Sequence, residues 1–109
     1  MIGRRLQPDE NGWFSDKLEP GDYVKVDPKR MPDGSPLHDG FEKHGYPFWI
    51  CCSPNGHAGN LKAHEVIEHE DGTITVSPSI LISRGGHGSG KPVEELWHGF
   101  LRRGVWSLT

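Results

Sequence analysis

His64-Glu-Val-Ile-Glu-His69, then Glu70-Asp71, then Gly72-Thr-Ile-Thr-Val76 is the stretch that decides the fold. Val, Ile and Thr suit a pleated surface, and Asp-Gly between two such runs is a hairpin signal because glycine accepts the positive φ of a tight turn. The two runs are expected to pair as antiparallel arms. Ser77-Pro78 then interrupts the second arm, since proline has no N–H for a ladder, and Ile80-Leu-Ile82 restarts an apolar strand. Further along, Leu96-Trp-His-Gly-Phe-Leu101 and Val105-Trp-Ser-Leu108 flank Arg102-Arg-Gly104, the pattern of a second hairpin. Upstream, Tyr23-Val-Lys-Val-Asp27 alternates, which predicts a half-buried strand with Tyr23, Lys25 and Asp27 on one face and Val24 and Val26 on the other. Phe48-Trp-Ile-Cys-Cys52 predicts a buried strand running into the turn Ser53-Pro-Asn-Gly56.

No segment sustains a helical period over eleven or more residues. Asn60-Leu-Lys-Ala-His64 and Pro92-Val-Glu-Glu-Leu96 suit single helical turns at most, the second with proline at its first position. The expectation is a mainly β protein: a single domain over residues 1–109, built as a small sheet or partly open barrel of hairpins, with little helix. Residues 28–47 and 84–92, rich in glycine and proline, read as long irregular loops. The core is thin. Leu, Ile, Val and Phe number 24 of 109 residues, just above the roughly one fifth below which a chain reads as disordered. Four Trp, two Tyr and four Phe must therefore carry much of the packing.

A formal charge of −3 argues against a nucleic-acid binder, which would carry a basic stripe. The longest unbroken apolar run, Phe48–Cys52, is far too short to cross a bilayer as a helix. Met1-Ile-Gly-Arg-Arg-Leu6 has no apolar run after its basic pair, so the sequence predicts a cytoplasmic protein without a signal peptide.

Several motifs approach known chemistry and stop short. Gly85-Gly-His-Gly-Ser-Gly-Lys91 follows the phosphate-cradling pattern, but Pro92 stands where a hydroxyl must reach Mg²⁺. His64-Glu-Val-Ile-Glu-His69 departs from the zinc protease signature by one residue, and on a strand its two imidazoles point to opposite faces. No G-x-S-x-G elbow marks an activated serine among the many Ser, His and Asp residues, and adjacent Cys51 and Cys52 suit buried small hydrophobes better than a nucleophile. The strongest remaining chemistry is a metal knuckle, Cys52-Ser-Pro-Asn-Gly-His57, with a thiolate and an imidazole either side of a turn. Zinc is the candidate ion, held by Cys52, His57 and His98, with Cys51, His64 and His69 as further donors and Glu65 or Glu68 as a base. A small core would gain stability from such a staple. Trp97, Phe100 and Trp106 are either core or contacts for a partner, tryptophan being enriched in interface hot spots.

The order Cys52-Ser-Pro-Asn-Gly-His57-Ala-Gly, Glu70-Asp-Gly-Thr-Ile-Thr-Val-Ser-Pro-Ser-Ile80 and Trp97-His-Gly-Phe-Leu-Arg-Arg-Gly-Val-Trp106 resembles a family of short uncharacterised phage and prophage proteins. The resemblance covers roughly residues 48 to 106. Members often carry more cysteines in the first turn and one before the terminal His-Gly, where this chain has Ser53, His57 and Trp97. Trp97 cannot ligate a metal. The resemblance implies a phage origin and no established activity. The sequence therefore favours a non-enzymatic accessory protein that binds a host or phage protein, for instance as an inhibitor of a host defence system. Alternatives are a small zinc protein or metal-dependent enzyme, and a minor virion component.

Overall fold

The structure is a computed structural model that describes residues 1–14, 17–86, 88 and 90–109. Among the described residues nine strands form three sheets that do not close, with one 3-10 turn and no α-helix. The strands are β1 (Arg4–Leu6), β2 (Asp22–Val26), β3 (Phe48–Cys52), β4 (Ala58–Asn60), β5 (Glu65–Glu68), β6 (Ile74–Ser77), β7 (Ile80–Gly86), β8 (Lys91–Arg102) and β9 (Val105–Leu108). The first sheet has the order β1-β2-β3-β4, the second is the β5-β6 hairpin, and the third is β7-β8-β9.

The deciding stretch folds as its pattern requires. Val66 pairs with Val76 and Ile67 with Thr75 across the Asp71-Gly72 turn, where Gly72 has a φ of 86°. Ile74 and Val76 face the core, and the arm stops at Ser77, one residue before Pro78. Glu68 at the end of β5 ties this hairpin to the first sheet through Lys25 at 2.9 Å and Arg5 at 3.3 Å.

The N-terminal segment joins the two larger sheets, a role the sequence does not announce. Residues 1–3 run antiparallel to β9: the Trp106 N–H donates to Met1 O at 2.8 Å, and the Gly3 N–H to Gly104 O at 2.7 Å. One residue later the same segment turns to pair in parallel with β2, Arg4 beside Asp22. The Trp106 indole seals this seam, its Nε1–H donating to Gly21 O at 2.9 Å in the interior. Gly3 is required there. A Cβ on it would lie 2.7 Å from Gly21 O and 2.8 Å from the Trp106 ring nitrogen.

Tyr23, Trp49, Ile74, Ile80, Leu101 and Trp106 belong to one core cluster that draws on all three sheets. The strand at 22–26 departs from the expected half-burial. Tyr23, Val24 and Val26 are all buried, as is the Asp22 carboxylate, so both faces of β2 are covered. Arg4 grips Asp22 through two nitrogens at 3.1 and 2.9 Å, and the Glu19 N–H adds a third bond.

Two loop expectations have different outcomes. Residues 28–47 hold no strand but include the 3-10 turn Phe41–His44. That loop is pinned by aromatic packing: Phe41 stacks on Tyr46 at 5.3 Å, Tyr46 on Phe48 at 4.8 Å, and the Trp13 Nε1–H donates to Arg30 O. The loop expected at 84–92 is strand at both its ends. β7 runs to Gly86 and β8 starts at Lys91, because Arg84 and Glu94 bridge the arms at 2.8 Å and Gly85 takes a positive φ beside Pro92. The single helical turn expected at 92–96 is accordingly extended chain within β8. His87 and Ser89 of the glycine-rich motif lie outside the described residues. Among the described residues no helix is long and apolar enough to cross a membrane.

Candidate functional site

The third sheet has one face toward the core and one outward, and its register decides which side chains share each face. Ile80, Ile82, Trp97, Leu101 and Trp106 point inward. Leu81 pairs with His98, Phe100 with Ser107, and Arg102 with Val105, so these residues point outward. Ile2 bridges to Val105 and extends the row. The result is a diagonal of apolar side chains across three strands and the bridged N-terminal segment, with Ile2 84% exposed, Leu81 51% and Val105 46%. At its centre the Arg102 guanidinium lies 4.1 Å over the Phe100 ring.

A β-bulge adds polar groups to this face. Ile82 pairs with Trp97, but the next residue, Ser83, pairs with Glu95, so Leu96 is an extra residue in β8. The extra residue breaks the alternation, and Glu95 comes to share a face with His98 although three residues separate them. The Glu95 carboxylate sits 3.3 Å from His98 Nδ1. On the other side of the ring, the Ser79 hydroxyl lies 2.8 Å from His98 Nε2. Ser79 is held in turn by its carbonyl, which accepts from His64 Nε2 at 3.1 Å.

The Ser53–His57 turn anchors the bulge. Its polar groups are spent internally: the Ser53 N–H donates to His57 O, the His57 N–H to Ser53 Oγ, and the Ser53 hydroxyl to Asn55 Oδ1. Asn55 Nδ2 then reaches across to donate to Leu96 O at 2.9 Å, while the Leu96 side chain packs against the core. The knuckle expected from Cys52 to His57 is therefore a docking turn.

The expected zinc ligands are not gathered. Among the described residues no three His, Cys, Asp or Glu side chains are placed to hold one ion. Cys52 is buried, and His98 of the expected trio is committed to Ser79 and Glu95. Both thiols resist the ionisation a ligand or nucleophile needs. Burial, with Cys52 adjacent, pushes Cys51 up to about 12. Burial, then the charges of Asp22 and Glu19, also raises Cys52. Glu68, a suggested base, is clamped instead: its hydrogen bond from Lys25, with the Arg5 charge nearby, holds its carboxyl below the usual range despite some burial. Glu65 is exposed on β5 opposite Ser77.

Two of the three expected partner contacts are core. Trp97 and Trp106 are buried and meet edge to face, centroids 5.3 Å apart. Only their rims line a cleft of about 440 Å³ with Met1, Pro54, Asn55 and Leu108. Phe100 alone belongs to the outward face. Sequence reasoning missed Ser79 and Glu95. Spacing on a regular strand would place Glu95 and His98 on opposite faces, and nothing in Glu94-Glu-Leu-Trp-His98 marks the bulge. It also missed Ile2, whose exposure follows from pairing with a strand a hundred residues away.

Fold and site thus define a small all-β protein whose terminal sheet carries, on its outward face, a serine–histidine hydrogen bond with a glutamate carboxylate beside the other ring nitrogen. Comparison with family models, with curated proteins and with solved structures finds no match.

Proposed function

We propose that this is an accessory protein that acts by binding another protein through the outward face of β7, β8, β9 and the N-terminal segment. The observation that carries the reading is the placement of Ile2, Val105, Phe100 and Leu81 on one outward sheet face, Ile2 opposite Val105 and the others set diagonally between Arg102, Ser107 and His98. Exposed apolar residues scattered singly are ordinary, whereas a contiguous patch of them marks an interaction site. An arginine stacked on an aromatic ring at its centre adds two residue types that dominate interface energetics. The net charge of −3 favours a protein over a nucleic acid, and Arg102 favours one with an acidic group beside its apolar surface. The resemblance to short phage proteins supports a bacterial host protein as the target, such as a component of a defence system, met in the host cytoplasm.

The test is capture from a bacterial lysate by the tagged protein, by the double variant Ile2→Glu/Val105→Glu, and by Lys29→Glu as a control on an exposed residue away from the sheet. One protein retained in near-stoichiometric amount by the wild type and Lys29→Glu, and lost from the double variant, is expected. Equal retention by all three, or by none, overturns the reading.

A further inference from the structure

We propose that Ser79, His98 and Glu95 form an acyl-transfer triad, with Ser79 as nucleophile, His98 as general base and acid, and Glu95 as the positioning residue. The chemical class of substrate is an activated ester or thioester carried on an accessible surface, since the triad lies on an open sheet face and not in a deep cavity.

The roles follow from one hydrogen bond and one close charge contact on the two ring nitrogens of His98. Ser79 can donate its proton to His98 Nε2 at 2.8 Å only if the ring proton sits on Nδ1, and Nδ1 faces the Glu95 carboxylate at 3.3 Å. One tautomer satisfies both contacts, the arrangement that makes a serine nucleophilic in unrelated folds. The backbone supports it at each point. His64 holds the Ser79 carbonyl at 3.1 Å, and the Leu96 bulge, secured by Asn55 at 2.9 Å, sets Glu95 on the face of His98. Bulges recur beside active sites because they re-aim a side chain in this way.

The steps balance without a cofactor. Ser79 Oγ attacks the carbonyl carbon and its proton passes to His98 Nε2, giving a tetrahedral intermediate. The C–O or C–S bond to the leaving group breaks, and His98 returns the proton to the departing alcohol or thiol. Water, deprotonated by His98, then cleaves the acyl-Ser79 ester and releases a carboxylic acid and free Ser79. On an open face, solvent stabilises the tetrahedral oxyanion, which is weaker than preorganised donors. Acylation is therefore better read by covalent capture than by turnover.

A fluorophosphonate probe and p-nitrophenyl acetate test this on the free protein, so failure here is separate from failure of the binding proposal. Mass spectrometry of the labelled wild type is expected to place the phosphonyl adduct on Ser79. Ser79→Ala and His98→Ala should reduce labelling to background, a loss of about 10²-fold or more, with folding checked by melting. Glu95→Gln should lower the acylation rate constant about tenfold at unchanged KM, because Glu95 is 62% exposed and its contact is solvent-screened, and Glu95→Asp should recover part of it. An adduct on another residue, no adduct on folded wild type, or undiminished labelling of Ser79→Ala overturns the proposal.

Discussion

Replacing Trp106 with phenylalanine tests whether the terminal hairpin and the N-terminal segment are one structural unit. The indole is 2% exposed, donates to Gly21 O at 2.9 Å and packs edge to face on Trp97 at 5.3 Å. Losing the hydrogen bond costs about 1 kcal/mol, toward the middle of the usual range, because Gly21 O keeps a second donor in the Arg4 N–H at 3.2 Å and is not orphaned. The smaller ring leaves roughly 40–50 Å³ of space, about another 1 kcal/mol at the usual cost per unit of cavity volume. Weakened contact with Trp97 adds roughly 0.5 kcal/mol. The sum, about 2–3 kcal/mol, corresponds to a fall in Tm of roughly 8–12 °C for a domain of this size. Thermal and urea unfolding followed by circular dichroism would measure it, with the urea m-value unchanged if only the native state is weakened. Trp13→Phe serves as comparison, since its indole bonds Arg30 O at the surface and should cost less than about 1 kcal/mol. A fall in Tm below about 2 °C for Trp106→Phe, or a larger one for Trp13→Phe, would refute the seam.

The two thiols offer a second check. With both cysteines buried and Cys51 pushed up to about 12, the native protein at pH 8 should give almost no reaction with a colorimetric disulfide reagent, and two equivalents once unfolded. Rapid native reaction of either would contradict the burial of β3. Asp22 offers a third. Burial drives its carboxyl up, but the hydrogen bonds from Arg4 and the Glu19 N–H outweigh that and leave it below the ordinary value. A lowered folded pKa stabilises the ionised form, so the contribution is complete above about pH 4 and is lost as pH falls through the lowered value. Asp22→Asn should therefore cost about 2 kcal/mol at pH 7, and its gap to wild type in urea unfolding should shrink below about pH 4. A gap that stays constant down to pH 3 would be the wrong result.

Much of the fold was legible because alternation and turn chemistry act locally. Asp71-Gly72 and the β-branched arms specified a hairpin without help from the rest of the chain, and Phe48–Cys52 was strand at both predicted ends. What stayed hidden depends on distant partners. Arg4–Leu6 carries no strong strand pattern, and becomes strand because β2 presents a free edge to it once residues 1–3 have paired with β9. Arg84–Pro92 reads as loop from its glycines, yet the ladder between β7 and β8 extends into it as far as Gly86 opposite Lys91. The site shows the same division. His98 was a candidate ligand alongside His57, but its partners depend on the bulge at Leu96, a register event with no sequence signature of its own. Cys52 and His57 looked like a ligand pair because ligand spacing and tight-turn spacing coincide, and Asn55 decides between them by reaching Leu96.

The outward face of the terminal sheet is the proposed meeting point of this protein and its target. A photo-reactive amino acid placed at Val105, and separately at Lys29, with irradiation in bacterial lysate, tests it most directly. A single crosslinked protein obtained from position 105 and absent from position 29 is the expected result. Crosslinking of the same protein from position 29 alone, or no crosslink from position 105, would contradict it.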